Sequence, residues 1–522
     1  MSFYQNKKYI ILDISKPTFY LPSSIKKIYS RNYLKYFKQF NYWINRISKD
    51  NTNNINWWFS KPASRDERLS SLYKNICIIY SLPDLDKLNI KIKIISESNV
   101  LKKIIAKKNY KNIRVYLNKK NILSRIFIFL KEISILIINI LLIRLFFNFK
   151  TKNQKLNLVD FFNFTKKNNI KKLFGNYLKN SKLKFYYVPT FLSFSPSNIL
   201  NYKSQKNILL KEYFVGFFDL IFIFKNLLFK KIKINHHFLK NNFTDLIREE
   251  LIIDNNFRSI LIAYVNYIFF KKLKSKKVDL KNIFSWHENQ VVDKGWSLGI
   301  NKFFPSSKFF GYQASTLHPQ FFNLSQTPEE VYSGVAPKNI FLIGKKYKKN
   351  RVKFCKNIRI KYTSSHRFNF EKNIPKKKYI LFLLSGIKEI DDLLINIFKK
   401  IKIKKYKNLK IKFHPILDSS IFKEKFNNEI KGDGSNIINS SKIVIVSSYT
   451  GGLYESLARN SFTFMINTNP FDKILFQDLK RDSKRIFLIN QIDQLEQNLR
   501  NYSKQKIKFF DNKQIKYSFF NK

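Results

Sequence analysis

The last third of the chain alternates short apolar runs with amphipathic segments, and this alternation restricts the fold more than any other feature. The runs KYILFLLSG from residue 378, LKIKFHP from 409 and KIVIVSS from 442 are apolar and of strand length. IDDLLINIFKKIK and LYESLARN, which follow two of them, predict helices, and FTFMIN predicts a further strand. Strands that alternate with helices predict a mostly parallel, doubly wound sheet over residues 378–490.

The first 345 residues show the same alternation less regularly. Four runs predict strands: YIILDI near Tyr9, NICIIYSL near Asn75, KFYYVPTFLSF near Lys184 and NIFSWHE near Asn282. FTDLIREELIIDNNFRSILIAYVNYIFFKKL, from Phe243, has apolar residues at helical spacing. We therefore expect an α/β protein of two doubly wound, Rossmann-like domains, residues 1–345 and 378–490. Residues 346–377 would form the linker, and 491–522 would pack back on the first domain or fray.

Length and composition indicate a folded protein with more than one core. The 522 residues exceed what one core usually holds, and 44% hydrophobic with 16% aromatic content excludes a disordered chain. The formal net charge of +63 favours polyanionic partners such as anionic lipid, nucleotides or nucleic acid. Because there is no compact basic arm, RNP-type motif or zinc-finger spacing, we expect an anionic membrane surface as a partner and no nucleic acid.

The cysteines and the N-terminus indicate a cytoplasmic protein. Cys77 and Cys355 are the only cysteines and lie far apart, which argues against a disulfide framework and a metal site. The N-terminal MSFYQNKKYIILDIS has a short apolar run that predicts a first strand and not a signal peptide.

Two long apolar segments, residues 122–149 and 213–234, have two interpretations. Lys131, Glu132, Asn139 and Arg144 interrupt the first segment, so it lacks a clean span of ~20 apolar residues, and a transmembrane helix is disfavoured. The segments are either helices buried against a sheet or an apolar, lysine-flanked face that lies in the bilayer surface.

Small, polar or histidine residues follow three strands of the second domain. The carboxyl ends of parallel strands meet at one edge of a sheet, where ligands bind, and glycines let a phosphate approach the backbone. A carboxylate one turn into the next helix could reach a ribose. A plain helix cap explains the turn SSYTGG alone about as well. The predicted donor-binding residues are Ser385, Gly386, His414, Pro415, Ser447, Ser448, Thr450, Gly451, Gly452 and Glu455.

The first domain supplies candidates for catalysis and for the acceptor side of a cleft. Glu288 and His287 end the strand NIFSWHE, where Trp286 would raise the pKa of Glu288 as a general base needs. Alternatively, Glu288 caps the next helix. Trp57 and Trp58 could stack on a sugar or could belong to the core. The acceptor or cleft candidates are Gln313, Ser315, Thr316, His318, Trp57, Trp58 and Arg65.

Several enzyme classes lack their motifs here. The sequence has no P-loop and no G-x-G-x-x-G, H-E-x-x-H or G-x-S-x-G pattern. This argues against P-loop NTPases, common dehydrogenases, zincins and α/β-hydrolases, and no metal ligand is assigned.

These motifs resemble those of GT-B glycosyltransferases of bacterial surface polysaccharide synthesis, such as Kdo transferases, bacterial polysialyltransferases and CDP-glycerol glycerophosphotransferases. The likeness rests on "HP" after a strand, on a strand that runs into "SS" and on a helix that carries Glu, over roughly residues 283–467. The segments WWFSKPASRDERLSSLY, HENQVVDKGW and FFGYQAST are also similar to surface-carbohydrate biosynthesis proteins. The resemblance implies that His414, Pro415, Ser447, Ser448 and Thr450 bind the donor phosphate and that Glu455 contacts ribose.

The expected function is therefore metal-independent transfer of a sugar from a nucleotide-activated donor to a polysaccharide or lipid-linked acceptor, in lipopolysaccharide or capsule synthesis. No cofactor is expected; the nucleotide-sugar is a substrate, with CMP- or CDP-linked donors favoured and UDP-linked donors open. The enzyme would be peripheral at the inner face of the cytoplasmic membrane. The alternative is a non-catalytic sugar- or polyanion-binding protein with a degenerate GT-B fold.

Overall fold

Three parallel sheets follow one another along the part of the chain that the computed structural model describes. The described residues are 9–14, 16–67, 69–118, 122–149, 154–163, 183–191, 199–205, 207–228, 231–252, 257–313, 321–365, 368, 370, 377–401, 406, 408–414, 426–505 and 513–521. We call the regions that carry these sheets the N-terminal unit (residues 9–118), the central unit (122–365) and the C-terminal unit (377–505).

The N-terminal unit has a small sheet in the order β1-β2-β3, flanked by helices. Its strands are β1 (Ile10–Asp13), β2 (Ile92–Ser96) and β3 (Ile113–Leu117). Its helices are α1 (Ser23–Asp50), α2 (Ile55–Trp58), α3 (Lys61–Ser64), α4 (Leu72–Asp86) and α5 (Asn99–Lys107). The long helix α1 buries aromatic residues such as Tyr33, Phe37 and Trp43 in a core that this unit shares with the central unit.

The central unit is a six-stranded sheet in the order β5-β4-β6-β7-β8-β9. Its strands are β4 (Lys155–Asn163), β5 (Phe185–Phe191), β6 (Asp279–Trp286), β7 (Lys308–Gln313), β8 (Asn339–Leu342) and β9 (Arg359–Tyr362). Its helices are α6 (Ile122–Phe146), α7 (Phe217–Leu228), α8 (Thr244–Ile252), α9 (Phe257–Ser275), α10 (Val291–Phe303), α11 (Pro328–Tyr332) and α12 (Lys348–Arg351). A Cβ atom at Gly295 would lie 2.1 Å from the Ala263 carbonyl oxygen, so a glycine there lets α10 pack closely on α9.

The C-terminal unit is a five-stranded sheet in the order β11-β10-β12-β13-β14. Its strands are β10 (Tyr379–Leu383), β11 (Leu409–Lys412), β12 (Ser441–Ser447), β13 (Phe462–Ile466) and β14 (Ile486–Ile489). Its helices are α13 (Lys388–Lys400), α14 (Gly434–Asn439), α15 (Gly452–Ala458), α16 (Asp472–Asp482) and α17 (Ile492–Ser503). The strand order reverses between β10 and β12, which in a doubly wound sheet is the point where ligands bind.

The predicted fold class is confirmed. Every strand pairing in the three sheets is parallel, and helices alternate with strands, so the chain is α/β with doubly wound, Rossmann-like sheets. Residues 1–345, however, carry two sheets where one domain was expected. Residues 346–377 are also more than a linker, because β9 extends the central sheet beside β8.

One predicted strand is wrong. The run NICIIYSL lies within helix α4, whose residues Ile76, Cys77 and Leu82 are buried. An apolar run with contacts on several sides looks the same in sequence whether it is a buried strand or a buried helix. Here packing against α1 decides for the helix.

The end of the chain packs on the central unit. A short helix, α18 (Lys513–Ile515), continues into a π-helical turn over Lys516–Phe520. The Ser365 amide donates to the Phe520 carbonyl at 3.0 Å, and the Phe519 ring lies 5.7 Å from that of Tyr347. Residues 513–521 thus contact the central unit, whereas Leu495 and Leu499 of α17, earlier in the same predicted segment, are buried in the core of the C-terminal unit.

Candidate functional site

The ends of β10 and β11 meet, as the sequence predicts for neighbouring parallel strands. Gly386, which follows β10, has a φ of +83°, and a Cβ atom there would lie 2.6 Å from His414 Nδ1. Glycine is required at this position by the positive φ and by the imidazole ring that packs on it. The structure therefore brings Gly386 and His414 together, whereas Pro415 lies outside the described residues.

A buried aspartate that the sequence analysis missed fixes the end of β10. Asp391, in the first turn of α13, accepts hydrogen bonds from the Ser385 amide at 2.6 Å, the Ser385 hydroxyl at 2.8 Å and the Gly386 amide at 2.9 Å. Burial raises the pKa of Asp391 to about 6, although these three hydrogen bonds favour the charged form. The hydroxyl of Ser385 is thus used to shape the strand–helix turn.

A second buried aspartate, Asp472 at the start of α16, ties β12 to β13. It accepts hydrogen bonds from the Ser448 hydroxyl, from the Thr468 amide at 2.7 Å and from the Asn469 amide at 2.9 Å. Both aspartates stand in the first turn of a helix that follows a strand, which is the signal by which sequence could have found them.

Most of the predicted donor residues of the turn SSYTGG face inward. Ser447 and Ser448 are buried, and the Thr450 hydroxyl accepts from the Gly452 amide at 3.3 Å. A Cβ atom at Gly452 would lie 2.0 Å from a Leu383 methyl, so close packing on β10 requires this glycine. Gly451 is the residue before α15 and has ordinary helical dihedral angles. Internal contacts thus account for these hydroxyls and for Gly452.

The predicted ribose contact of Glu455 is not supported by its position. Its carboxylate is buried and lies 2.9 Å from Nε of Arg459, the residue that follows α15. This internal ion pair gives Glu455 a structural role in the described part of the chain.

A cavity of about 500 Å³ lies between the N-terminal and C-terminal units. On one side it is lined by residues at the carboxyl ends of β1, β2 and β3, and on the other by residues that follow β10, β12 and β13. The first group is Asp13, Ser96, Glu97, Ser98 and Asn118, and the second is Ile387, Tyr449, Thr468, Asn469 and Pro470. The carboxyl ends of two parallel sheets therefore face each other across the cavity, at the strand-order reversal of the C-terminal sheet.

Polar contacts join the two units across this cavity. Glu67 accepts a hydrogen bond from the Tyr33 hydroxyl, and Asn469 Nδ2 lies 3.5 Å from Glu67 Oε1. The same amide group donates to the Tyr449 hydroxyl. Tyr449 is the residue of the SSYTGG turn that lines the cavity, and neither it nor Glu67 was predicted to be in the site.

Two adjacent carboxylates of α8 hold helices that begin at or near the cavity. Glu250, which lines the cavity, accepts from the Ser71 amide at 3.1 Å before α4, and Glu249 accepts from the Asn99 amide at 2.7 Å at the start of α5. Burial raises the pKa of Glu250. Both carboxylates satisfy amides that have no partner within their own helices.

The charged lining is mixed in sign although the chain is strongly basic. In the part of the chain that the structure describes, the cavity is lined by five carboxylates and three lysines: Asp13, Glu67, Glu97, Glu250, Glu389, Lys16, Lys61 and Lys74. Carboxylates accept hydrogen bonds from hydroxyl groups, and lysines attract phosphate. Among the described residues, no three His, Cys, Asp or Glu side chains are grouped so as to hold a metal ion.

Glu288 and His287 do not belong to the cavity lining among the described residues. Glu288 is half-buried and accepts from Trp286 Nε1 at 3.3 Å and Gln290 Nε2 at 2.9 Å. Trp286 thus approaches the carboxylate as a hydrogen-bond donor. His287 is fully buried, with its Nε2 3.1 Å from Gln326 Nε2, so the structure contradicts a catalytic position for it at an open cleft.

Because of the buried His287, we expect the free energy of unfolding to decrease at acid pH. Burial, and then the charge of Lys294, lower the pKa of His287 from 6.5 to about 3. Since the unfolded chain binds a proton near pH 6.5 and the folded chain does not, the stabilising contribution is complete above pH 6.5 and is lost as the pH falls towards 3. We expect this group to remove about 1.4 kcal/mol per pH unit over that range.

The measurement is urea unfolding between pH 6.5 and 4.5, in the wild type and in His287→Asn. The variant should lose less stability over this range, by roughly 2–3 kcal/mol, whatever its stability at neutral pH. Equal pH slopes in the two proteins would show that His287 does not titrate as its burial requires.

Trp57, Trp58 and Arg65 are core residues, which corrects their placement in the acceptor cleft. Both indoles are fully buried. Arg65 Nη2 lies 2.6 Å from Glu330 Oε2, and Lys294 Nζ lies 2.5 Å from the other carboxylate oxygen. This buried cluster joins the segments WWFSKPASRDERLSSLY and HENQVVDKGW, because Lys294 Nζ also lies 5.4 Å from the centre of the Trp58 ring.

Gln313, a further predicted cleft residue, does not line the cavity either. Gln313 is buried, and its Oε1 accepts from Arg351 Nε at 2.8 Å. Ser315, Thr316 and His318 lie outside the described residues. Sequence reasoning thus found the strand-end turns that border the site, but not the side chains that line it.

Comparison with known proteins finds solved structures that are distantly similar to this chain. No family model matches the chain, and no curated protein matches it. A UDP-N-acetylglucosamine 2-epimerase is 12% identical, with 67% of this chain and 87% of that chain covered and a TM-score of 0.34. Acinetobacter baumannii MurG is 9% identical (67% and 92% covered, TM-score 0.31), and the glycotransferase of kitacinnamycin is 7% identical (67% and 91%, TM-score 0.36). At such identities and TM-scores the activities of these proteins cannot be assigned to this chain. The structure itself shows its α/β architecture.

Proposed function

We propose that the chain transfers a sugar from a nucleotide-activated donor to a saccharide or lipid-linked acceptor in the cavity between the N-terminal and C-terminal units. The observation that carries this proposal is the position of the cavity, at the strand-order reversal of a doubly wound sheet and facing the strand ends of a second sheet. Open α/β sheets bind nucleotides at such a point. The motif resemblance to surface-polysaccharide GT-B enzymes adds the reaction class.

The lining suits both parts of a nucleotide-sugar. Tyr449, which lines the cavity and is partly exposed, would offer its ring to a base or a sugar. Lys16, Lys61 and Lys74 would stabilise the departing phosphate, whose charge grows in the transition state. The carboxylates would accept hydrogen bonds from sugar hydroxyls. A CMP- or CDP-linked donor is proposed first, and a UDP-linked donor second.

Two carboxylates compete for the role of general base. Glu288 was the candidate from sequence, but it does not line the described cavity. Glu67 does, it comes within hydrogen-bond reach of groups from both units, and it is nearly buried. A general base must reach the proton that it removes, so we propose Glu67 for deprotonation of the acceptor hydroxyl.

Thermal unfolding with CMP, CDP, UDP and GDP tests the donor site. A nucleotide that binds the folded protein should stabilise it by about 2.7 kcal/mol at a concentration of about 100 times its Kd. Tyr449→Ala should weaken this shift. Tyr332→Ala is the matched control, because Tyr332 is 80% exposed and does not line the cavity. No shift with any of the four nucleotides would refute the donor site.

A non-catalytic saccharide-binding protein is the second candidate, and the excess of carboxylates over lysines among the described residues of the lining favours it. In that case oligosaccharides, but not nucleotides, would raise the unfolding temperature. Glu67→Gln would weaken saccharide binding, and neither the wild type nor the variant would transfer a sugar.

A further inference from the structure

Two helices of the central unit expose apolar faces to solvent. Phe217 and Phe218 at the start of α7 are 71% and 82% exposed, and Leu145 near the end of α6 is 74% exposed. Other large apolar side chains on these helices are exposed as well: Ile126, Phe127, Ile128, Leu130, Ile138, Leu141, Phe146, Ile221, Phe222 and Leu228. We call this set the α6–α7 face. A soluble surface rarely groups so many large apolar side chains without a partner.

Both helices are fixed to the protein by their opposite sides. Ile133, Leu136 and Ile140 of α6, and Ile223 of α7, are buried in the core. Arg258 at the start of α9 pairs with Glu132 of α6 at 2.7 Å, and Lys272 near its end pairs with Asp219 of α7 at 2.9 Å. The two helices therefore lie on the same helix, α9, and the interpretation of both segments as buried helices is wrong for their outer faces.

This arrangement fits a helix pair that lies in the plane of a bilayer. By length and composition, α6 is apolar enough to cross a membrane over Ile126–Phe146, yet its inner side chains belong to the protein core. The 12 residues of α7 extend about 18 Å, which is less than the roughly 30 Å of a hydrocarbon core. Burial on one side and exposure on the other are typical of interfacial helices.

The charge around the α6–α7 face is positive. The only acids of the two helices, Glu132 and Asp219, are paired with cations of α9. Lys131 and Lys225 are exposed on the helices, and Lys203 Nζ lies 5.1 Å from the centre of the Phe146 ring. The Asp219–Lys272 pair also brings the lysine-rich end of α9 next to the exposed Phe217 and Phe218. The exposed lysines at that end are Lys271, Lys274, Lys276 and Lys277.

We propose that the α6–α7 face binds the surface of a bilayer that contains anionic lipid, with Phe217, Phe218 and Leu145 inserted among the acyl chains and the bordering lysines at the headgroups. A second copy of the chain fits less well. A twofold contact through the same face would set lysines against lysines, whereas anionic headgroups neutralise them. This surface is separate from the cavity, so the proposal does not depend on the proposed function.

Co-sedimentation of the full chain with vesicles tests the proposal. Vesicles of phosphatidylcholine with phosphatidylglycerol should bind the protein more tightly than phosphatidylcholine alone, and added salt should weaken the difference. The double variant Phe217→Ser, Phe218→Ser should bind the vesicles at least about tenfold more weakly than the wild type, because two apolar insertions are lost. Lys271→Ala and Lys274→Ala should each lower binding to the anionic vesicles by about fivefold.

The matched controls lie outside this face. Tyr332→Ser removes an equally exposed aromatic ring, and Lys473→Ala removes an exposed lysine of the C-terminal unit, so neither should change vesicle binding. Unchanged melting temperatures would show that all variants fold. Binding of the double phenylalanine variant equal to that of the wild type would overturn the proposal. So would a dimer in sedimentation velocity that this variant dissociates, since the face would then be an interface between copies.

Discussion

Replacing Glu330 by glutamine is expected to destabilise the protein by about 3–5 kcal/mol, a large part of the 5–15 kcal/mol that holds a typical protein folded. The carboxylate is buried between Arg65 at 2.6 Å and Lys294 at 2.5 Å, and both cations are themselves fully buried. Burial alone would raise the pKa of Glu330, but the two cations outweigh it and hold the pKa below its ordinary value. Without this carboxylate, Arg65 and Lys294 stay buried and lose the anion that both of them contact.

Urea unfolding followed by tryptophan fluorescence measures the loss, because Trp58 lies against Lys294. Glu329→Gln is the matched control: it changes the neighbouring residue, which is only partly buried, and should cost less than about 0.5 kcal/mol. If Glu330→Gln were no more destabilising than Glu329→Gln, the cluster would not hold the N-terminal and central units together as its geometry indicates.

Glu67→Gln is expected to lower the rate of sugar transfer by about 10²–10⁴-fold, the usual contribution of a general base. Glutamine keeps the size and hydrogen-bond acceptor of the side chain that Tyr33 contacts, but it cannot take the acceptor proton. Nucleotide binding should change little, so the loss should appear in kcat. Tyr33→Phe, which removes the hydroxyl that donates to Glu67, should shift the acidic limb of the pH–rate profile without abolishing transfer.

Glu288→Gln is the comparison that decides between the two carboxylates. We expect less than a tenfold change, since the Glu288 carboxylate is held by Trp286 and Gln290 away from the described cavity lining. If Glu288→Gln lowered the rate of sugar transfer more than Glu67→Gln, Glu288 would be the general base. If both variants kept full activity, neither carboxylate would be the general base.

The strand-end turns show how far local sequence reaches into the site. The patterns of β10, β11 and β12 predicted that Ser385-Gly386, His414 and SSYTGG lie at one edge of a sheet, and Gly386 does contact His414 there. Which side chains of a turn face the ligand depends on packing between elements. Asp472, 24 residues from Ser448, takes up its hydroxyl, and Tyr449 is left to face the cavity.

The sequence by itself determined the fold class, because the period of apolar residues distinguishes strand from helix wherever an element has one buried face. It determined neither the number of sheets nor the identity of the cavity residues. Arg65 meets Glu330 across 265 positions of sequence and Asn469 meets Glu67 across 402, and no local pattern encodes such pairs. Only the tertiary structure decided that the tryptophans and Arg65 belong to the core, that Glu67 stands at the cavity and that the α6–α7 face is open, since burial is a property of the assembled chain and not of any segment.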